Sequence, residues 1–78
     1  MKEHFIMLDS IEKVKKFVSI TNKYDFEIGL SSDRYVIDGK SIMGIFSIDL
    51  KKPIKLIAHT KDQDEFLKDI KGFIIKNK

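Results

Sequence analysis

The sequence predicts an α+β fold: an open-faced sandwich in which a four-stranded, mostly antiparallel sheet carries three helices on one face. Three observations predict it. Segments of period two and segments at helical spacing follow each other in the order β-α-β-β-α-β-α, which suits a sheet with its helices gathered on one side. The second and third strands are separated only by turn chemistry, so they should pair as a hairpin. The chain has 78 residues, 42% hydrophobic and 35% charged, which suits one domain over residues 1–78 with one core.

The elements follow in order. His4-Phe5-Ile6-Met7-Leu8 is a short apolar run that suits a strand. Asp9-Ser10-Ile11-Glu12 reads as a helix start, with Asp9 capping free N–H groups and Glu12 reaching back. Ile11, Val14, Phe17, Val18 and Thr21 recur at helical spacing and predict a buried stripe on a helix over 10–23. Phe26, Ile28 and Leu30 alternate with Glu27 and Gly29, the period of a strand. Ser31-Ser32-Asp33 is turn chemistry, and Arg34 to Asp38 should pair back as the second arm of the hairpin. Gly39 breaks that strand. Ser41 caps a short helix running through Ile42, Met43 and Ile45 to about Ser47. Asp49 to Pro53 is a connector, because Pro53 has no N–H for a ladder. Ile54 to Ala58 is the fourth strand. Asp62 or Asp64 caps a last helix whose stripe is Phe66, Leu67, Ile70, Phe73 and Ile74. The extreme end, Lys76-Asn77-Lys78, is expected to fray.

Composition excludes several functions. There is no cysteine, so disulfides and thiolate metal sites are ruled out. Met1-Lys2-Glu3-His4 leads into a short apolar run only, unlike a signal peptide. No stretch approaches the roughly 20 apolar residues of a membrane span. The expectation is a soluble, cytoplasmic domain. The net charge is +3, but the lysines are interleaved with acids, and only Lys71, Lys76 and Lys78 make a basic tail. Arg34 is the single arginine, which weakens any phosphate clamp or base reader. Neither nucleic acid nor membrane is expected as a partner. His4 and His59 are isolated and read as structural or surface histidines. Asp62, Asp64, Glu65 and Asp69 lack the spacing of a calcium loop. There is no glycine-rich phosphate loop and no Ser/His/Asp grouping, so the residues call for no metal and no cofactor.

Lys40-Ser41-Ile42-Met43-Gly44-Ile45-Phe46-Ser47 carries the most information. It resembles the regulatory-serine segment of HPr, the histidine-containing phosphocarrier family of bacterial sugar phosphotransferase systems. The predicted element order is also that family's order. From Ser10 to about Thr60 the sequence lies on the family pattern without a gap, with Phe17-Val18, Tyr24-Asp25 and the hairpin where the family has similar residues. The final helix fits after a shortened loop near Lys61.

The family's active-site motif is Gly-Leu-His-Ala-Arg-Pro-Ala, and here the chain reads Leu8-Asp9-Ser10-Ile11-Glu12-Lys13-Val14. By this resemblance Ser10 occupies the phosphohistidine position and Glu12 that of the phosphate-stabilising arginine. A relay needs a nitrogen nucleophile, because the P–N bond is labile and a serine phosphoester is inert to onward transfer. It also needs an anion site at a helix N-terminus. Asp9 and Glu12 stabilise an empty helix end through its dipole and repel a phosphate there.

The resemblance therefore implies a non-catalytic regulatory or interaction module, similar to the catabolite-repression relatives of HPr. Ser41 would be the regulatory phosphorylation site, and Lys40, Ile42, Met43 and Phe46 the partner-binding patch. A phosphate on Ser41 would sit at the positive end of a helix dipole with Lys40 beside it. Periodicity alone leaves Ile42 and Met43 open between core and docking surface. The implied partners are proteins: an HPr kinase, a transcriptional repressor or phosphotransferase components. Two alternatives stay open. One is a divergent phosphocarrier using a non-standard site, His4 or His59. The other is a scaffold that turns the sheet's open face, with Phe26 and Tyr35, to an unrelated partner.

Overall fold

The computed structural model describes residues 3–32 and 35–75. Its elements are β1 (Glu3–Ile6), α1 (Ile11–Thr21), β2 (Ile28–Ser32), β3 (Tyr35–Asp38), α2 (Ile42–Phe46), β4 (Ile54–Ala58), α3 (Asp64–Asp69) and β5 (Ile74–Ile75), with a 3-10 turn at Lys71–Phe73 before β5. The strands form one sheet in the order β3-β2-β4-β1-β5, and every neighbouring pair is antiparallel. This is the predicted α+β open sandwich with three α-helices, extended by a short fifth strand. Asp33 and Arg34, expected in the hairpin, and the Lys76-Asn77-Lys78 end lie outside the described residues.

Strand alternation sets the two faces. Ile28, Leu30 and Ser32 of β2 are buried, as are Ile54, Leu56 and Ala58 of β4, while the residues between them are only partly covered. In register, Leu30 lies opposite Leu56, and Leu56 lies opposite His4 of β1. The inward side chains join Val14 and Phe17 of α1, Ile45 of α2, and Phe66, Ile70 and Phe73 in one buried cluster. Burial of such side chains contributes roughly 1.5–3 kcal/mol each. Phe17 meets Phe73 edge-on, with ring centroids 5.7 Å apart.

Several boundaries differ from the sequence reading. β1 stops at Ile6, not Leu8. Ile6 pairs with Ile54, so the next rung would face Pro53, which has no N–H to give. Met7 N–H donates instead to Phe73 O at 2.9 Å. The cap of α1 is Ser10, not Asp9: Ser10 Oγ accepts the Lys13 N–H at 3.2 Å. Asp9 is used by the Lys13 ammonium, 2.9 Å away. Ile11, expected in the buried stripe, is 61% exposed.

The last helix ends at Asp69. Its N-cap position is Gln63, which makes no side-chain cap bond, although Asp62 Oδ1 accepts the Asp64 N–H at 3.4 Å. Gly72 is a poor helix residue, and the β-branched pair Ile74-Ile75 suits a strand. The apolar stripe from Phe66 to Ile74 is therefore buried or half-buried from three elements instead of one helix. Phe26 packs inward with Tyr24 and Phe66, at centroid distances of 5.3 and 5.5 Å, so it offers nothing to a partner on the open face.

Candidate functional site

The candidate site centres on Ser41, at the start of α2. Asp38 ends β3 and organises the turn: its carboxylate accepts the Lys40 N–H at 2.9 Å and its carbonyl accepts the Ser41 N–H at 3.0 Å. Ser41 has an extended backbone, φ −103° and ψ 111°, and its Oγ accepts the Gly44 N–H at 3.1 Å. This is the predicted serine cap of a short helix. Ser47 closes the other end, donating its hydroxyl to Gly44 O at 2.6 Å. No acid stands in the first turn of α2.

The turn is held from below by α1. Thr21, fully buried, donates its hydroxyl to Gly39 O at 2.9 Å, and Asn22 Nδ2 donates to Lys40 O at 3.3 Å. Gly39 N–H donates to Ile28 O at 2.7 Å, and a Cβ at Gly39 would stand 2.7 Å from Ile28 Cγ2. Only glycine allows that approach. Lys40 sends its ammonium to Tyr24 O at 2.5 Å, so its charge is occupied within the fold. Tyr24 in turn donates its hydroxyl to an Asp69 carboxylate oxygen at 2.5 Å. That hydrogen bond, with desolvation and the charges of Asp69 and Glu65, pushes the Tyr24 hydroxyl up to about 12.

The predicted partner patch divides by exposure. Ile42 packs half-buried against the core, whereas Met43 is 78% and Phe46 41% exposed. The surface apolar set thus includes Met43, Phe46 and Ile11. Exposed methionine beside an aromatic suits an adaptable protein contact.

The α1 N-terminus differs. Ser10 is exposed, Glu12 lies in the first turn, and Asp9 pairs with Lys13. The Lys13 hydrogen bond and charge hold the Asp9 carboxyl below its ordinary range. No histidine stands at this helix end. His4 is on the inward face of β1, and its Nε2 is buried without a hydrogen-bond partner. His59 follows β4 on the open side, its Nε2 4.0 Å from where a Gly29 Cβ would be. It lines a shallow depression with the acidic residues Glu27 and Asp38. Among the described residues no three His, Cys, Asp or Glu side chains are grouped to hold a metal. Nor is any helix there long and apolar enough to cross a membrane.

Sequence reasoning missed Thr21 and Asn22 as supports of the Ser41 turn. A threonine on an apolar stripe was the available signal, since a buried hydroxyl needs a partner.

An antiparallel sheet open on one side, with a serine-capped short helix after the hairpin at its edge, is the architecture of a small open-faced sandwich. The family model for the PTS HPr component phosphorylation site matches residues 12–76, and the chain belongs to the HPr family of the phosphotransferase system. The structure of HPr-C-His from Thermoanaerobacter tengcongensis is similar, with a TM-score of 0.75 at 28% identity, covering 92% of this chain and 89% of that one. A phosphocarrier protein HPr from Bacillus anthracis str. Ames shares the fold, with a TM-score of 0.70 at 23% identity and coverage of 95% and 94%. No curated protein matches the sequence. HPr proteins are phosphocarriers rather than enzymes, and they work through other proteins of the phosphotransferase system. The family match begins at Glu12, two residues beyond Ser10.

Proposed function

We propose that this chain is a regulatory interaction module of the phosphotransferase system and not a phosphoryl relay. The observation that carries the reading is the α1 N-terminus. A serine caps it, two carboxylates flank it, and it holds no imidazole. Such an end is poorly suited to phosphate: Glu12 stands in the first turn at the dipole's positive pole, and the Lys13 ammonium is already taken by Asp9. In this reading Ser10 fills the position of the family's phosphohistidine and Glu12 that of its arginine.

Ser41 is the regulatory site. Its hydroxyl lies at a helix N-cap with no carboxylate in the first turn, and the Asp38 carboxylate just before it is engaged by the Lys40 N–H, so an added phosphate meets the positive end of the helix. Met43 and Phe46 are the exposed apolar part of the docking patch, and Ile42 supports them from the half-buried side. Lys40 contributes by fixing the turn through Tyr24 O. The partners are proteins: an HPr kinase that modifies Ser41, then a transcriptional repressor or a phosphotransferase component that reads the result.

The test is incubation with an HPr kinase and ATP, followed by mass spectrometry. One phosphate on Ser41, absent from Ser41→Ala, is expected. An unmodified chain under conditions that fully modify a carrier HPr removes the switch. In parallel, enzyme I with labelled phosphoenolpyruvate should leave no acid-labile label. Label lost on replacing His4 or His59 would instead establish a divergent carrier. His4 is ill suited to that role because Nε2 is buried, and His59 because Glu27 and Asp38 share its depression.

A further inference from the structure

β3 is an outer strand of the sheet, and among the described residues the side facing away from β2 has no strand partner. Its hydrogen-bonding groups can be assigned from the register. Gly39 N–H donates to Ile28 O, and Leu30 stands opposite Ile37, Ser32 opposite Tyr35. In an antiparallel ladder alternate pairs are the bonded ones. Ile37 and Tyr35 therefore direct their backbone groups to β2, and Val36 directs both N–H and C=O outward. The Asp38 N–H points outward as well, while its carbonyl already accepts from Ser41. Val36 is 73% and Tyr35 67% exposed. No lysine or proline blunts this edge within Tyr35–Asp38, the usual protection of a free strand.

The open face beside the edge is shaped and charged. A depression of about 390 Å³ is lined by Glu27, Gly29, Val36, Asp38 and His59, among others. Asp38, Gly29 and Ile57 lie in one cross-strand row. Gly29 contributes no side chain to it, so a long side chain entering from beyond β3 can lie over β2 toward Glu27 and His59.

We propose that β3 is a second docking edge, which takes an extended basic segment of a partner protein as an added antiparallel strand. The residue opposite Val36 exchanges both backbone hydrogen bonds with it. The residue two positions earlier in the partner falls opposite Asp38 on the open face and is an arginine or lysine whose charge meets Asp38 and Glu27. Main-chain bonds supply the attachment and the alternate side chain supplies the selection. This surface adjoins the Ser41 turn at Asp38, whose carboxylate and carbonyl accept the Lys40 and Ser41 N–H groups.

The probe is a blocked pentapeptide, Thr-Arg-Thr-Val-Thr, titrated into the ¹⁵N-labelled full chain. Saturable amide shifts are expected at Val36, Asp38, Gly29 and His59, with the α1 and α2 amides unmoved. Replacing the peptide's arginine by glutamate should weaken binding about tenfold, and replacing its valine by proline should abolish the shifts. Asp38 also holds the Lys40 turn, so Glu27→Lys, at an exposed position, is the cleaner variant on the protein side, and should also weaken binding about tenfold. The proposal is overturned by an absence of shifts at millimolar peptide, by shifts confined to other surfaces, or by equal binding of the glutamate and proline peptides.

Discussion

Ser10 and Ser41 each cap a helix through the same bond, to the N–H three residues on, at 3.2 and 3.1 Å. Their settings differ. Ser10 opens an 11-residue helix, is exposed, and sits between Asp9 and Glu12. Ser41 opens a 5-residue helix, is half-buried, has no acid in the first turn, and stands on a turn tied to α1 through Gly39 and Lys40. Capping geometry alone therefore says little about phosphate chemistry. The charges flanking the cap, and what supports the residue before it, decide whether that end can accept an anion.

The strongest way to break this contrast is Gly39→Ala. The added methyl meets Ile28 at 2.7 Å, and overpacking of this kind costs about 2–3 kcal/mol. Urea unfolding should show that loss, and hydrogen exchange should open the Ser41 turn while the Lys13 amide stays as protected as before. Thr21→Val comes next. It leaves the buried Gly39 carbonyl without its side-chain donor, a loss of about 1–2 kcal/mol, also read by urea unfolding. Equal stability of wild type and T21V would disprove the support assigned to α1.

The caps themselves follow. Ser41→Ala should cost about 1 kcal/mol and Ser10→Ala about 0.5 kcal/mol, because water readily replaces the exposed cap. A reversed order would mean that the Ser41 turn is held without its hydroxyl.

Two pH effects are smaller and sharpen the comparison. The folded Asp9 carboxyl ionises more easily than the unfolded one. Its contribution is therefore present above the ordinary carboxylate range and lost as pH falls through the lowered value. Asp9→Asn should remove that part of the acid sensitivity. Tyr24 has the opposite sign: its value rises from 10.0 to about 12 on folding. The neutral hydroxyl is favoured in the native state, so stability is full below pH 10 and declines as pH rises toward 12. Absorbance titration should show this late-ionising tyrosine return toward its ordinary value in Asp69→Asn.

Much of the architecture was legible from period and punctuation. Ile54 to Ala58 forms the expected strand because its alternation is bounded by Pro53 and a polar loop, and Ser41 caps the helix it was expected to cap. The reading failed where tertiary register decides. Ile74 continues the helical stripe of Phe66, Ile70 and Phe73, and nothing local shows that β1 waits to pair with it. The choice of Ser10 over Asp9 as cap turned on the Asp9–Lys13 pair, which takes the carboxylate away. For the site, the Lys40-Ser41 segment was visible, but the destination of the Lys40 ammonium, a carbonyl 16 residues earlier, was not. Ile11 looked buried by spacing because periodicity reports the direction of a side chain around the helix and not whether anything lies across from it.

The small β5 strand has a consequence for self-association. Ile74 and Ile75 cover the flank of β1 opposite β4 at Phe5 and Ile6, which shortens the row of unpaired backbone groups that could recruit another chain. A sheet that can grow from both flanks polymerises into fibres. Copies of this chain that meet through β3 about a two-fold axis stop at a closed pair.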